Sequence, residues 1–423
     1  MTRATSRRWA AAVGTCLVLA GCSGGADAPA PDPEDQLAAD CASAVETLLV
    51  RTQEYLDGVA RSAGPEAGPT PSAGPQGGDD VEAYSAALAD VRQYAVDRGC
   101  DPRRFQEDLA DGLRGLQAGG PVAGAVLRQL QADAVPGGPD LAVAAGEDLA
   151  AVVASAATGA VVELGPGVHR LPETLVLLRG VTLRGAGRDS TTVTASAPEG
   201  VLLVLTAEPV AVEGVALVQE DAGAVVSAGP GSRLAVRAAR VSGARAAADG
   251  SGGVGVLMAS GAAGQTGPVR TTTLEADDLH AVDNAVAGVL LAGDHRAEVR
   301  GALLERNGQC GVCFFGTSDG TVVDSRFEDN AVGVVAAGRA TPGVRGGTAR
   351  GGEVGVQAVD DAAPQVEGLT ASGASTSSFF FADRSRGAVR GSTCTDVPAG
   401  IVVSPSASPE LGDNPGCTVA RGQ

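Results

Sequence analysis

The chain has 423 residues, 19 % of them charged and only 3 % aromatic, and a formal charge of −19. A surface this acidic repels nucleic acid and anionic lipid, so neither is an expected partner. It repels polyuronates too, unless calcium or a local arginine cluster intervenes, and every basic residue is arginine.

The first residues read as an export signal. Arg3, Arg7 and Arg8 precede a short apolar run, Trp9 to Ala20, followed by small residues. The run is too short for a comfortable membrane span. It ends in "LAGC", Leu19 to Cys22, which resembles the lipobox of bacterial lipoproteins. That resemblance implies removal of a signal peptide, residues 1–21, and acylation of Cys22. Loss of the three arginines takes the charge from −19 to −22. Several acyl chains, each buried methylene contributing roughly 0.8 kcal/mol, would anchor the protein stably. The expected location is the outer face of the bacterial cell membrane, with residues 22–35 as a flexible tether. An ordinary secretory signal with an incidental Cys22 is the alternative.

Six cysteines follow Cys22: Cys41, Cys100, Cys310, Cys313, Cys394 and Cys417. An even number in an exported chain favours disulfides over metal. Residues 36–135 read as a small α-helical module. Apolar residues recur at helical spacing over 36–61, and a Gly/Pro-rich loop occupies 64–80. A second helix is expected after Asp79 or Asp80 as cap, ending at Gly99. A third starts with Asp101 as cap and Pro102 in its first turn, and a fourth covers 121–133. Antiparallel packing would bring Cys41 to Cys100, a disulfide that so small a module needs.

From residue 136 the pattern changes. One more helix is expected at 147–157, and short β-type runs broken by Gly and Asn come after it. Asn284, Asn307 and Asn330 are 23 residues apart, and Gly288, Gly311, Gly333, Gly355 and Gly400 each open a β run. A repeat of 22 to 23 residues with short strands and no helix matches one coil of a right-handed, single-stranded parallel β-helix. No rung buries its apolar face alone, so stacking makes the core. Asn suits the turns through its tolerance of the left-handed conformation, and in register its amides can bond along the axis. Ala281, Leu304, Phe327, Ala349, Ala371 and Cys394 fall in one inward column, and Val322, Val344, Val366 and Val389 in another. Asp283, Arg306 and Asp329 stack outward with alternating sign. The β-helix domain is expected over 136–423, with about twelve rungs in residues 147–423 and helix 147–157 as the N-terminal cap.

The stretch "GAVVELGPGVHRL…LLRGVTLRGAGRDSTTV" and the Gly/Asn repeats resemble the right-handed parallel β-helix superfamily. That group includes pectate lyases, polygalacturonases, alginate epimerases and NosD-like periplasmic proteins. The resemblance is specific for fold and unspecific for reaction. The chain lacks the G-H-G and R-I-K motifs of polygalacturonases. Its "RATPGVR", Arg339 to Arg345, is one residue longer than the R-x-P-x-x-R of pectate lyases. Asp360-Asp361 and the Asp294–His295 pair read as loop residues, and His169 as structural.

The best catalytic candidate is "EADDLHAVDN". Asp277, Asp278 and His280, with Arg326 two rungs on, would share one surface, pair acid with base, or bind Ca2+. A solvated acidic strand is the competing reading. Phe380, in an outward slot between inward Phe379 and Phe381, is a candidate for stacking on a sugar ring. Cys313 takes a similar outward slot, and Cys310–Cys313 reads as a local disulfide across a turn. Cys394 and Cys417, 23 residues apart, should stack on adjacent rungs. The expected function is a non-catalytic binding or scaffold role toward polysaccharide or an envelope protein, as a monomer and without cofactor. The alternative is a polysaccharide lyase, epimerase or hydrolase with a divergent acidic site, the only case that calls for Ca2+.

Overall fold

A computed structural model describes residues 33–62, 78–134, 141–259 and 271–422; Cys22, the signal peptide and most of the tether and of the Gly/Pro loop lie outside the described residues. Four helices come first: α1 (Pro33–Ser62), α2 (Gly78–Arg98), α3 (Pro102–Leu113) and α4 (Gly120–Ala134). Helix α1 begins inside the expected tether, because Pro33 occupies a first turn whose missing N–H costs nothing there. Helix α2 begins at Gly78, which places Asp79 and Asp80 within its first turn instead of at the cap. The Asp101 carboxylate caps α3, accepting from the Arg104 N–H at 2.9 Å. Cys41 and Cys100 are bonded, their Cα atoms 5.8 Å apart.

The short helix α5 (Leu149–Ser155) starts at Asp148, whose side chain accepts from the Ala151 N–H. It presents Leu149 and Val153 to the first rungs and covers the open end of their core. From there to residue 421 the chain winds through three parallel sheets of twelve, ten and eleven strands. One turn runs Thr272–Asp277, His280–Val282, Ala287–Gly293, then His295–Arg300, which lies directly on Thr272–Asp277. The ten-stranded sheet and partial turns at both ends make about eleven coils, one fewer than expected. The inward columns are as the repeat requires: Leu304 and Ala281 are fully buried, and Val322, Val344, Val366 and Val389 stack in register.

In the middle coils two corners turn on residues in the left-handed region. One corner is held by Gly214, Ala238, Asp278, Gly301 and Asp324, the next by Asp283, Arg306, Asp329 and Gly351. The residue before each repeat Asn therefore makes the turn, not the Asn itself. The Asn side chain does the other expected job. Asn284 Nδ2 donates to Asn307 Oδ1 at 3.0 Å and Asn307 Nδ2 to Asn330 Oδ1 at 2.9 Å. Each amide also donates to the carbonyl of an inward residue, Asn307 to Ala281 at 3.0 Å and Asn330 to Leu304 at 2.7 Å. All three are buried.

The repeat Gly has a steric cause. A Cβ on Gly333 would sit 2.5 Å from the Gly355 carbonyl oxygen, and one on Gly311 would meet the Phe327 ring at 2.6 Å. Ladder pairing skips this position: Ala287 pairs with Cys310 and Val289 with Val312. The local compaction explains the third disulfide. Cys310 and Cys313 both lie in the strand Cys310–Gly316 and bond across a local turn of its backbone. Three extended residues span roughly 10 Å, yet these Cα atoms are 5.9 Å apart, across the kink at Gly311. Cys394 and Cys417 are bonded on successive coils, with Cα atoms 4.8 Å apart.

Asn307→Ala should strip partners from the Asn284 and Asn330 amides and lower stability in urea by at least about 2 kcal/mol. Asp329→Gly, at an exposed left-handed corner, should stay within about 1 kcal/mol of the parent; comparable losses in the two variants would refute the ladder's role. Intact mass before and after reduction, with thiol alkylation, should count three disulfides.

Candidate functional site

The acidic stretch around Asp277 does not converge. Asp277 projects from the outer face of the twelve-stranded sheet, Asp278 makes the corner at φ 53°, and His280 opens the strand of the ten-stranded sheet. Asp277 lies 3.8 Å from Arg237 and 3.7 Å from Arg300. It belongs to a ladder on that face. Arg184 joins Glu163 and Glu213, each at 3.1 Å, and Arg237 joins Glu213 at 3.2 Å and Glu275 at 3.3 Å. Arg300 pairs with Glu298 in the same row. Arg326 is exposed and stands two rungs from His280, with Leu303 between them.

Asp278 and His280 do stay together, with Nε2 3.8 Å from Oδ1, too long for a hydrogen bond. Their neighbours come from far upstream. The Arg188 guanidinium donates to the Asp278 carbonyl at 2.7 Å and pairs with its carboxylate at 3.0 Å. Asp189 binds Arg240 at 2.7 Å, and Arg240 lies beside His280 in register. The corners of the two intervening coils, Gly214 and Ala238, carry nothing larger than a methyl. Nothing local in the sequence marks this contact, because 90 residues separate the partners. The result is a surface quintet of Arg188, Asp189, Arg240, Asp278 and His280.

Burial, and then the Arg188 charge, push the His280 imidazole below its ordinary range, against the pull of Asp278. Among the described residues no group of three or more His, Cys, Asp and Glu side chains is arranged to hold a metal ion.

The other histidines have structural settings. Asp294 lies between the strands Ala287–Gly293 and His295–Arg300, as expected of an inter-strand residue, while His295 begins the second strand and is buried. Its Nδ1 accepts from the Thr272 N–H at 3.3 Å, and burial lowers its pKa. His169 is buried with Nε2 2.9 Å from the Gly165 carbonyl.

Phe380 is half-buried in the outward column between Gln357 and Val402, while Phe379 and Phe381 are fully inside. Cys313 also points outward but is only 1 % exposed. It lies in an outer apolar band with Ala287 and Cys310, flanked by half-exposed Leu257, Leu290 and Val335. At the first coils the same outward slots, Val176 and Leu203, are covered by Leu56, Val59 and Val122 of α1 and α4. Arg128–Glu173 at 2.6 Å and Arg179–Asp133 at 2.6 Å fasten that contact. Sequence reasoning missed this docking, although the run of apolar residues on both faces of 175–178 and 201–205 carried the signal.

The histidine setting has a definite sign. A folded-state pKa below the unfolded value, near 6.5, makes His280 and His295 contribute stability above that pH and withdraw it as pH falls through the folded pKa. Followed by NMR, the His280 midpoint should rise in Arg188→Gln and fall further in Asp278→Asn. Identical midpoints in parent and both variants would show that the quintet does not form.

Comparison with known proteins adds one match. Residues 270–415 match the family described as "Right handed beta helix region". No curated protein and no solved structure matches the chain significantly. The matched segment ends within the last coil, and the same three parallel sheets continue upstream of it to Ala142. Residues 270–415 are thus similar to the right-handed β-helix family, within a chain whose strands form a parallel β-solenoid, and no specific enzyme family is matched.

Proposed function

We propose that this protein is an exported, lipid-anchored β-helix that serves as a rigid binding or scaffold surface toward polysaccharide or an envelope protein. The observation that carries this reading is the use of outward side chains. From Glu163 to Arg300 they bind the rung above or below, in pairs of alternating sign, instead of converging on one reacting point. Exposed pairs contribute only about 0–1 kcal/mol each, so what a row of them supplies is a fixed pattern of charge. Three disulfides among the described residues fit an oxidising compartment, and "LAGC" fits anchoring through Cys22.

A second reading rests on His280. A base depressed below its usual pKa beside a carboxylate and two arginines is a setting in which acid–base chemistry occurs. Under that reading Asp278→Ala abolishes a calcium-dependent activity on polyuronate.

Export predicts that the parent protein partitions into the detergent phase in Triton X-114, and that Cys22→Ser moves to the aqueous phase. Binding predicts retention of a glycan or an envelope protein in an array and pull-down, unchanged in Asp278→Ala. No retention on either arm, together with glycan cleavage that needs Asp278, would replace the binding reading with the enzymatic one.

A further inference from the structure

The sequence has four asparagines, Asn284, Asn307, Asn330 and Asn414, and only Asn307 is followed by glycine. The fold requires both residues of that pair. Asn307 is the middle member of the buried amide ladder. Gly308 runs so close to the preceding coil that a Cβ on it would lie 2.0 Å from the Ala285 carbonyl oxygen. In an open chain an Asn-Gly pair is the one most prone to deamidate. Glycine puts no side chain beside its backbone nitrogen and leaves the chain free to bring that nitrogen onto the asparagine amide.

The folded coil withholds each requirement of that reaction. The Gly308 nitrogen must lose its proton and attack Cγ of Asn307, yet its N–H is donated to the Asn284 carbonyl at 2.9 Å. The Asn307 side chain must swing toward that nitrogen, yet all its polar atoms are held. Its Oδ1 accepts from the Asn284 N–H at 3.3 Å and from Asn284 Nδ2 at 3.0 Å. Its Nδ2 donates to Asn330 Oδ1 at 2.9 Å and to the Ala281 carbonyl at 3.0 Å. Water must finally reach the product, yet Asn307 is 1 % exposed.

We infer that Asn307 is a deamidation site, closed in the folded coil and reactive only when the coil opens. On opening, the bond from the Gly308 nitrogen to Cγ forms, the Cγ–Nδ2 bond breaks, and ammonia leaves with the proton from Gly308. Water then adds to the cyclic imide and leaves aspartate, or its β-linked isomer, at position 307. Refolding does not reverse this step. A carboxylate at 307 faces Asn330 Oδ1 and the Ala281 carbonyl, two acceptors, where the amide donated, and burying it there is costly. Opening of this coil thus turns from a reversible event into a permanent loss of the ladder.

The test incubates the chain from Ser23 onward, which keeps every described residue, in mildly alkaline buffer with and without denaturing urea. Peptide mass mapping follows all three ladder asparagines. In urea Asn307 should convert ahead of Asn284 and Asn330, which are followed by alanine, and should yield β-linked product. Gly308→Ala, read only in urea where its clash with Ala285 is absent, should remove that lead. In native buffer conversion at Asn307 should be slower by about a hundredfold or more, because the open form is so outnumbered. Asn307→Asp should lose its urea transition or shift it to lower urea; the rates carry the test in either case. Equal rates at Asn307 with and without urea, Asn284 or Asn330 converting as fast as Asn307 in urea, no β-linked product, or Asn307→Asp as stable as the parent would each overturn the inference.

Discussion

Stacking places every position of a coil on the same position of the next, at one strand spacing of about 4.8 Å. Each column must therefore tolerate contact with itself, and that constraint selects the residues. Valine on valine packs, and asparagine on asparagine bonds amide to amide, as Asn284, Asn307 and Asn330 do. A carboxylate on a carboxylate repels, so the outer face of the twelve-stranded sheet alternates Glu163, Arg184, Glu213 and Arg237. A glycine recurs where the backbone of one coil approaches the next too closely for a Cβ.

The same constraint places some of the acidic residues. The left-handed corners need residues that tolerate positive φ, and after glycine these are Asp and Asn. Asp278, Asp283, Asp324, Asp329, Asp360 and Asp383 all occupy such positions. A cluster of acids in sequence is thus, in large part, a record of corners. Its members point from different faces of the prism. Glu275 and Asp277 stay on one face around Arg237, Asp278 and His280 meet at the next corner, and Arg188 completes the second pair's surroundings from three coils away.

A stack has two ends whose apolar interior would meet water, and each end is closed by a different device. At the start α5 lays Leu149 and Val153 over the first coils, and α1 and α4 extend the cover to the outer slots Val176 and Leu203. At the far end Cys417 is tied to Cys394, and the strand Val419–Arg421 adds a last row to Ala399–Val403. The helical module is therefore part of the solenoid's structure.

The sequence by itself determined the coil length, the inward columns, the Asn ladder, the helical start and the pairing of Cys41 with Cys100 and Cys394 with Cys417. Periodicity carries all of these, since a repeat writes its contacts at fixed separations. Only the tertiary structure decided that Cys310 and Cys313 bond within one strand and that the residue before each Asn makes the corner. It alone separated Asp277 from His280, brought Arg188 to Asp278, and docked α1 and α4 on Val176 and Leu203. Those features depend on side-chain direction at a bend, or on contacts between segments outside the repeat, and neither leaves a period in the sequence.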